Sequence, residues 1–210
     1  MQSSRRHDNP LVDDSGKVRT GIFEEAITEI NYRDFKLRTA MGKPAGAFQR
    51  WFGFNQFQFC SVISEDIIVG VAIAHPRLAT VSFAYFYEPR SQRLFRYNLK
   101  TLPIGSSVIL SQRPYEGKWQ FKLGKYQCRF WYDNETGERR IALQTRDGAQ
   151  ADIHFSEHHF EPMRICTPAD LCGFAFTQKM GGIAARGVVR HPELGEFDLE
   201  QSRASATMDW

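Results

Sequence analysis

The sequence predicts an all-β fold built from short antiparallel hairpins, and three observations predict it. Apolar residues recur with period two along many short runs. Pro, Gly and Asx clusters punctuate those runs. No long amphipathic helical stripe runs through the chain. Many short strands at this spacing suit a barrel or a sandwich.

Residues 55–87 show the pattern best. Gln56 to Val62 alternates, which places Phe57, Phe59 and Ser61 on one face and Gln56, Gln58 and Cys60 on the other. Ile67 to His75 is almost continuously apolar and β-branched, the composition of a strand covered on both faces. His75-Pro76 ends it, because proline cannot donate to a ladder. Thr80 to Tyr87 resumes with aromatic and β-branched residues and stops at Glu88-Pro89. Loops this short make a meander and rule out a βαβ crossover.

Before that stretch, residues 1–20 are polar and read as a mobile tail. Gly21 to Asn31 mixes two apolar stripes and reads as a strand entering the sheet. Lys43-Pro44-Ala45-Gly46 breaks the chain ahead of the aromatic segment Ala47 to Phe54. Trp51 and Phe52 there would either line a ligand cavity or plug the end of a barrel, since aromatics bury large areas wherever they pack.

Beyond the meander, Phe95, Tyr97 and Leu99 share one face of a strand and Leu94 and Arg96 the other. Pro103-Ile104-Gly105 is a turn and Ser107 to Leu110 a short strand. In the next hairpin Trp119, Phe121 and Leu123 face one way and Gly124-Lys125 turns the chain. Tyr126, Cys128, Phe130 and Tyr132 line one face of the return strand. Asp147-Gly148 marks another hairpin, between Ile141/Leu143 and Ile153/Phe155. From Ile165 the pattern continues: Gly173 to Lys179, a turn at Gly181-Gly182, Gly182 to Arg190, a turn through His191–Gly195, then strands Gly195 to Leu199 and Ala204 to Trp210.

Composition narrows the classes of function. With 27 basic and 24 acidic residues the net charge is +3, too balanced to argue for nucleic acid or a membrane surface. The longest apolar run, Ile67 to Ala74, is far short of the ~20 residues a spanning helix needs. The first residues lack the apolar centre of a signal peptide. Cys60, Cys128, Cys166 and Cys172 show neither paired zinc spacing nor disulfide density, which predicts reduced thiols and a cytoplasmic location.

Chemistry-bearing clusters are few. His154, His158 and His159, with Glu157 and Glu161, have the right donor types for a metal. On a strand, however, imidazoles four apart lie too far from each other to clasp one ion, so no metal is expected. Cys166 and Cys172 bracket a proline turn and read as small buried residues or a thiol pair. No G-x-S-x-G, Walker loop, H-E-x-x-H or dinucleotide fingerprint is present, and no cofactor is expected.

Two segments carry a resemblance. Arg164 to Val189, RICTPADLCGFAFTQKMGGIAARGVV, and the closing ATMDW are similar to the family known as domain of unknown function 2804. There a TP…G-F-x-(Y/F)-T-x-K-x-x-G…G-x-V stretch precedes a (M/L)DW element. Gly21, Phe57 to Ile63, Ile67 to Ile73 and the turn Tyr87-Glu88-Pro89 fit too, so the resemblance spans most of the chain. That family is in turn similar to the hydroxyneurosporene-synthase and AttH-like proteins, which are tandem lipocalin-like barrels. The resemblance therefore implies a lipocalin-like β-barrel over residues 21–165, followed by the first strands of a second, incomplete barrel over 166–210. In the family the chain runs on past this DW element, so the resemblance also implies a truncated chain with an open sheet edge at Trp210.

Three functions follow as expectations. The first is binding of an apolar small molecule, a lipid or isoprenoid, in a barrel cavity. Trp51, Phe57, Phe59, Trp119 and Phe121 are the candidate ligand contacts. The second, implied by the resemblance, is a hydratase or isomerase with Asp209 as acid and Trp210 beside it. The third is an interaction module that pairs through open strand edges.

Overall fold

The computed structural model describes residues 8–102, 107–158, 160–169 and 173–210. Its strands, in chain order, begin with β1 (Gly21–Ile22), β2 (Gln56–Ile63), β3 (Ile68–His75), β4 (Thr80–Glu88) and β5 (Arg93–Thr101). Next come β6 (Val108–Ile109), β7 (Lys118–Leu123), β8 (Tyr126–Asp133), β9 (Glu138–Gln144) and β10 (Gln150–Ser156). The last five are β11 (Met163–Ala169), β12 (Gly173–Ala184), β13 (Arg186–His191), β14 (Gly195–Asp198) and β15 (Ser205–Asp209). A 3₁₀ turn at Tyr32–Asp34 and a six-residue helix α1 at Ala47–Phe52 complete the described elements.

These strands form two antiparallel sheets. One runs β1-β11-β12-β15-β2-β3-β4-β5 and the other β14-β13-β10-β9-β8-β7-β6. Their inner faces share one core in which Val69, Val71, Ile73, Phe86, Phe121, Tyr126, Phe130, Ile141 and Phe155 are fully or almost fully buried. The all-β antiparallel fold expected from the sequence is the fold observed.

Local detail follows from the side chains. β2, β3 and β4 form the predicted meander, with Gln56 opposite His75 and Ile68 opposite Tyr87. β3 is covered on both faces because Gly70 lets the Tyr85 ring lie on the outer side: a Cβ there would sit 2.3 Å from that ring. The β7–β8 hairpin turns at Gly124, whose φ of 61° suits glycine. Phe95, Tyr97 and Leu99 face the core from β5 and leave Leu94 and Arg96 outside.

Four readings are corrected. Residues 8–20 are not a mobile tail: Leu11 and Val12 are buried, and Leu11 joins Ile27, Ile30 and Cys166 in a second cluster under β11. Within 21–31 only Gly21–Ile22 is a strand, since the Ile27 and Ile30 side chains pack into that second cluster instead of alternating on a ladder. Gly181-Gly182 is not a turn. β12 runs through it with a bulge, Gly182 having φ 76°, and the chain leaves for the other sheet after Ala184. Trp210 does not end on an open edge, because β15 pairs with β12 on one side and β2 on the other.

The boundary read at residue 165/166 is not a boundary between sheets. β12 and β15 lie between β11 and β2, and β13 pairs with β10, so strands from both sides of it share both layers. The Pro103–Gly105 turn, His159 and Cys172 lie outside the described residues.

Candidate functional site

The space for a guest lies at one end of the eight-stranded sheet, where β2, β4 and β12 begin and β3 and β11 end. Three pieces of chain meet there: the 3₁₀ turn, α1 and the β3–β4 connection. Tyr32 stacks on Phe54 with ring centroids 3.9 Å apart and planes 6° from parallel. The Arg77 guanidinium, from the β3–β4 connection, lies over both rings at 4.8 and 5.4 Å. Its Nε donates to the Phe54 carbonyl and its Nη1 to the Tyr32 hydroxyl at 3.2 Å. Arg77 is only 5% exposed and has a left-handed φ of 57°, a conformation held by these surroundings.

Phe54 and Phe174, with Gly53, stand in the shared wall of two cavities and form the partition between them. The larger, about 620 Å³, is walled by Tyr32, Phe35, Leu37, Trp51 and Arg77 together with the partition. The smaller, about 330 Å³, is walled by Ile30, Phe57, Trp119, Phe176, Asp209 and Trp210 with the same partition. Both volumes fall in the range of small-molecule sites.

Electrostatics at this end are set by Arg77. Burial pushes the Tyr32 phenol up, but hydrogen bonds from Arg77 and Arg33 outweigh it and leave the group below its ordinary value. His75 is lowered, first by burial and then by the Arg77 charge; its Nδ1 lies 2.9 Å from Thr80 Oγ1.

The structure brings some of the predicted site residues together and scatters others. Trp51 lines the larger cavity from α1. Phe57, Trp119, Asp209 and Trp210 line the smaller one. Trp210 packs edge-on against Trp119 at 6.0 Å and Phe176 at 6.2 Å. The Asp209 carboxylate accepts from Thr177 Oγ1 at 2.8 Å and pairs with Lys179. Phe59 is not in either wall: it sits on the outer face of the sheet between Phe57 and Phe83. Phe121 is fully buried between the sheets against Tyr126.

The described part of the histidine-rich segment is committed elsewhere. Glu157 makes a buried ion pair with Arg139 at 2.8 Å, and His154 lies 2.9 Å from Asp152. Among the described residues no three His, Cys, Asp or Glu side chains converge as metal ligands. Nor is any described helix long and apolar enough to cross a membrane.

Sequence reasoning missed Tyr32, Arg77 and Phe174. Tyr32 and Phe174 come from segments far apart in the chain, and no local period joins them. Arg77 follows His75-Pro76, which reads as a polar loop. The one available signal was the density of aromatics around Lys43–Asn55, beside a break.

The fold and these cavities define an all-β protein of two antiparallel sheets with an aromatic chamber at one end. The chain belongs to the family described as domain of unknown function (DUF2804), whose sequence model matches residues 2–210. No curated protein matches it. Among solved structures it is similar to a putative AttH from Nitrosomonas europaea, with 8% identity and TM-score 0.49 over 74% of this chain and 51% of that one. It is similar also to kievitone hydratase from Nectria haematococca, with 8% identity and TM-score 0.48 over 74% of this chain and 47% of that one. The chain thus spans about half the length of these structures.

Proposed function

We propose that the protein binds an apolar small molecule in the chamber formed by α1, the 3₁₀ turn and the starts of β2 and β12. The observation that carries this reading is the pair of adjoining cavities, about 620 and 330 Å³, which share Gly53, Phe54 and Phe174 in their walls. Aromatic walls supply apolar area for a guest. Trp51 is 51% exposed and Phe48 73% exposed, so α1 presents unburied aromatic surface beside the larger cavity.

The test is a titration with N-phenyl-1-naphthylamine, a neutral apolar fluorophore, together with native mass spectrometry of the purified protein. Wild type is expected to bind the dye. Ala47→Trp, placed in the cavity wall on the exposed side of α1, should weaken binding at least tenfold while leaving the circular-dichroism spectrum alone. Equal affinity in the variant would reject the chamber as the site.

One observation favours a second reading, a hydratase or isomerase: Asp209 and Trp210 lie side by side in the wall of the smaller cavity. Asp209 would have to exchange Lys179 and Thr177 for the substrate. Asp209→Asn should abolish turnover of a bound apolar alkene without lowering the melting temperature. Unchanged turnover rejects the assignment.

A further inference from the structure

The larger cavity is apolar in shape but one-signed in charge. Arg33, Arg38, Arg50 and Arg77 all line it, and none of the described residues in its wall is acidic. Three of these arginines, Arg33, Arg38 and Arg50, are exposed. Arg77 differs, being almost fully buried.

Its bonds account for two of the three guanidinium nitrogens: Nε on the Phe54 carbonyl and Nη1 on the Tyr32 hydroxyl. Nη2 is buried and has no partner among the described residues. Of the three buried arginines among the described residues, Arg139 takes Glu157, whereas Arg77 and Arg164 form no ion pair with a described carboxylate; of those two, only Arg77 lines this cavity. A buried guanidinium without an anion is unfavourable unless something supplies the charge.

We propose that the larger cavity takes an amphipathic carboxylate, with its head group on Arg77 and its apolar body along Trp51 and Phe174. The planar fork of arginine matches a carboxylate, and the stacked Tyr32–Phe54 pair fixes that fork in place. This rests on the reading of the chamber as a small-molecule site and adds the class of ligand to it.

The experiment compares dodecanoate with dodecanol, which share a chain and differ in the head group. Each displaces N-phenyl-1-naphthylamine from wild type, Arg77→Gln and Arg77→Lys, below micellar concentrations. Wild type should prefer dodecanoate by about 10- to 100-fold, the worth of a charge-assisted hydrogen bond. Arg77→Gln should erase that preference, read as the ratio of the two affinities within the variant; Arg77→Lys should keep part of it. Equal binding of the two ligands by wild type overturns the proposal while the apolar reading stands, and that comparison needs no variant to fold. A preference that survives in Arg77→Gln also overturns it. If neither the dye nor either ligand binds wild type, the chamber itself is rejected and the proposal goes with it.

Discussion

Two regions of this molecule are rich in aromatic rings and use them in opposite ways. Between the sheets, Phe86, Phe121, Tyr126, Phe130 and Phe155 are buried to 1% exposure or less, and Phe121 meets Tyr126 edge to face at 5.8 Å and 83°. At the end of the eight-stranded sheet, Tyr32, Phe54, Trp51 and Phe174 surround space. Strand neighbours repeat every ~4.8 Å, so side chains projecting from facing sheets interdigitate along their length. A six-residue helix and a 3₁₀ turn offer no such repeat, and the joints between them and the sheet stay open. The lesson is that composition alone does not separate a core from a chamber; the elements that hold the rings do.

Mutations should break the two regions differently, beginning with the largest effect. Phe121→Ala removes a ring with no exposed surface and should cost about 3–5 kcal/mol in a denaturant titration. Next comes Gly187, where β13 pairs with β10 opposite Ile153. Its φ is 114° and a Cβ would lie 2.0 Å from the Asp152 carbonyl oxygen. Gly187→Ala should therefore cost about 1–3 kcal/mol through backbone strain, read as a lowered denaturation midpoint. Trp51→Ala, at the half-exposed wall of the chamber, should change stability by about 0.5 kcal/mol or less while weakening dye binding. An equally destabilised Trp51→Ala would erase the distinction between the regions.

Alkali and acid sharpen the same contrast. Burial pushes the Cys60 thiol up to about 12 and the Cys166 thiol up to about 11, from an ordinary value of 9.0. A raised folded value means this contribution is complete below pH 9 and is lost as pH climbs from 9 towards 12. The melting temperature should fall across that window, and the thiols should stay silent to Ellman's reagent until unfolding. At the open end His75 is lowered from 6.5, by burial and then by Arg77. Its contribution is present above pH 6.5 and is lost as pH falls through the lower folded value. A proton-NMR titration in which His75 ionises at or above 6.5 would contradict the burial of its ring together with the Arg77 charge beside it.

The sheets were legible in the sequence because their signal is local. Phe57/Phe59 against Gln58/Cys60, the apolar run of β3 and the Gly124-Lys125 turn each declare themselves within a few residues. What failed was long-range. Leu11 and Val12 are two apolar residues in a polar stretch, and only Ile27, Ile30 and Cys166, gathered from elsewhere, make a core position of Leu11. Gly181-Gly182 misled because glycine serves a bulge and a turn through the same positive φ. The candidate site was legible in part: of the residues singled out in the sequence, Trp51, Phe57 and Trp119 as aromatics and Asp209 and Trp210 through the family resemblance line the two cavities. Arg77 was not singled out, since a charged residue after His-Pro has the signature of a solvated loop.

The most direct measurement is a backbone and side-chain NMR shift map recorded while N-phenyl-1-naphthylamine is added. Shifts are predicted at Tyr32, Trp51, Phe54, Arg77 and Phe174, with Phe86, Phe121 and Tyr126 unmoved. Shifts confined to the outer face at Phe59 and Phe83, or none at all, would contradict a chamber at the end of the sheet.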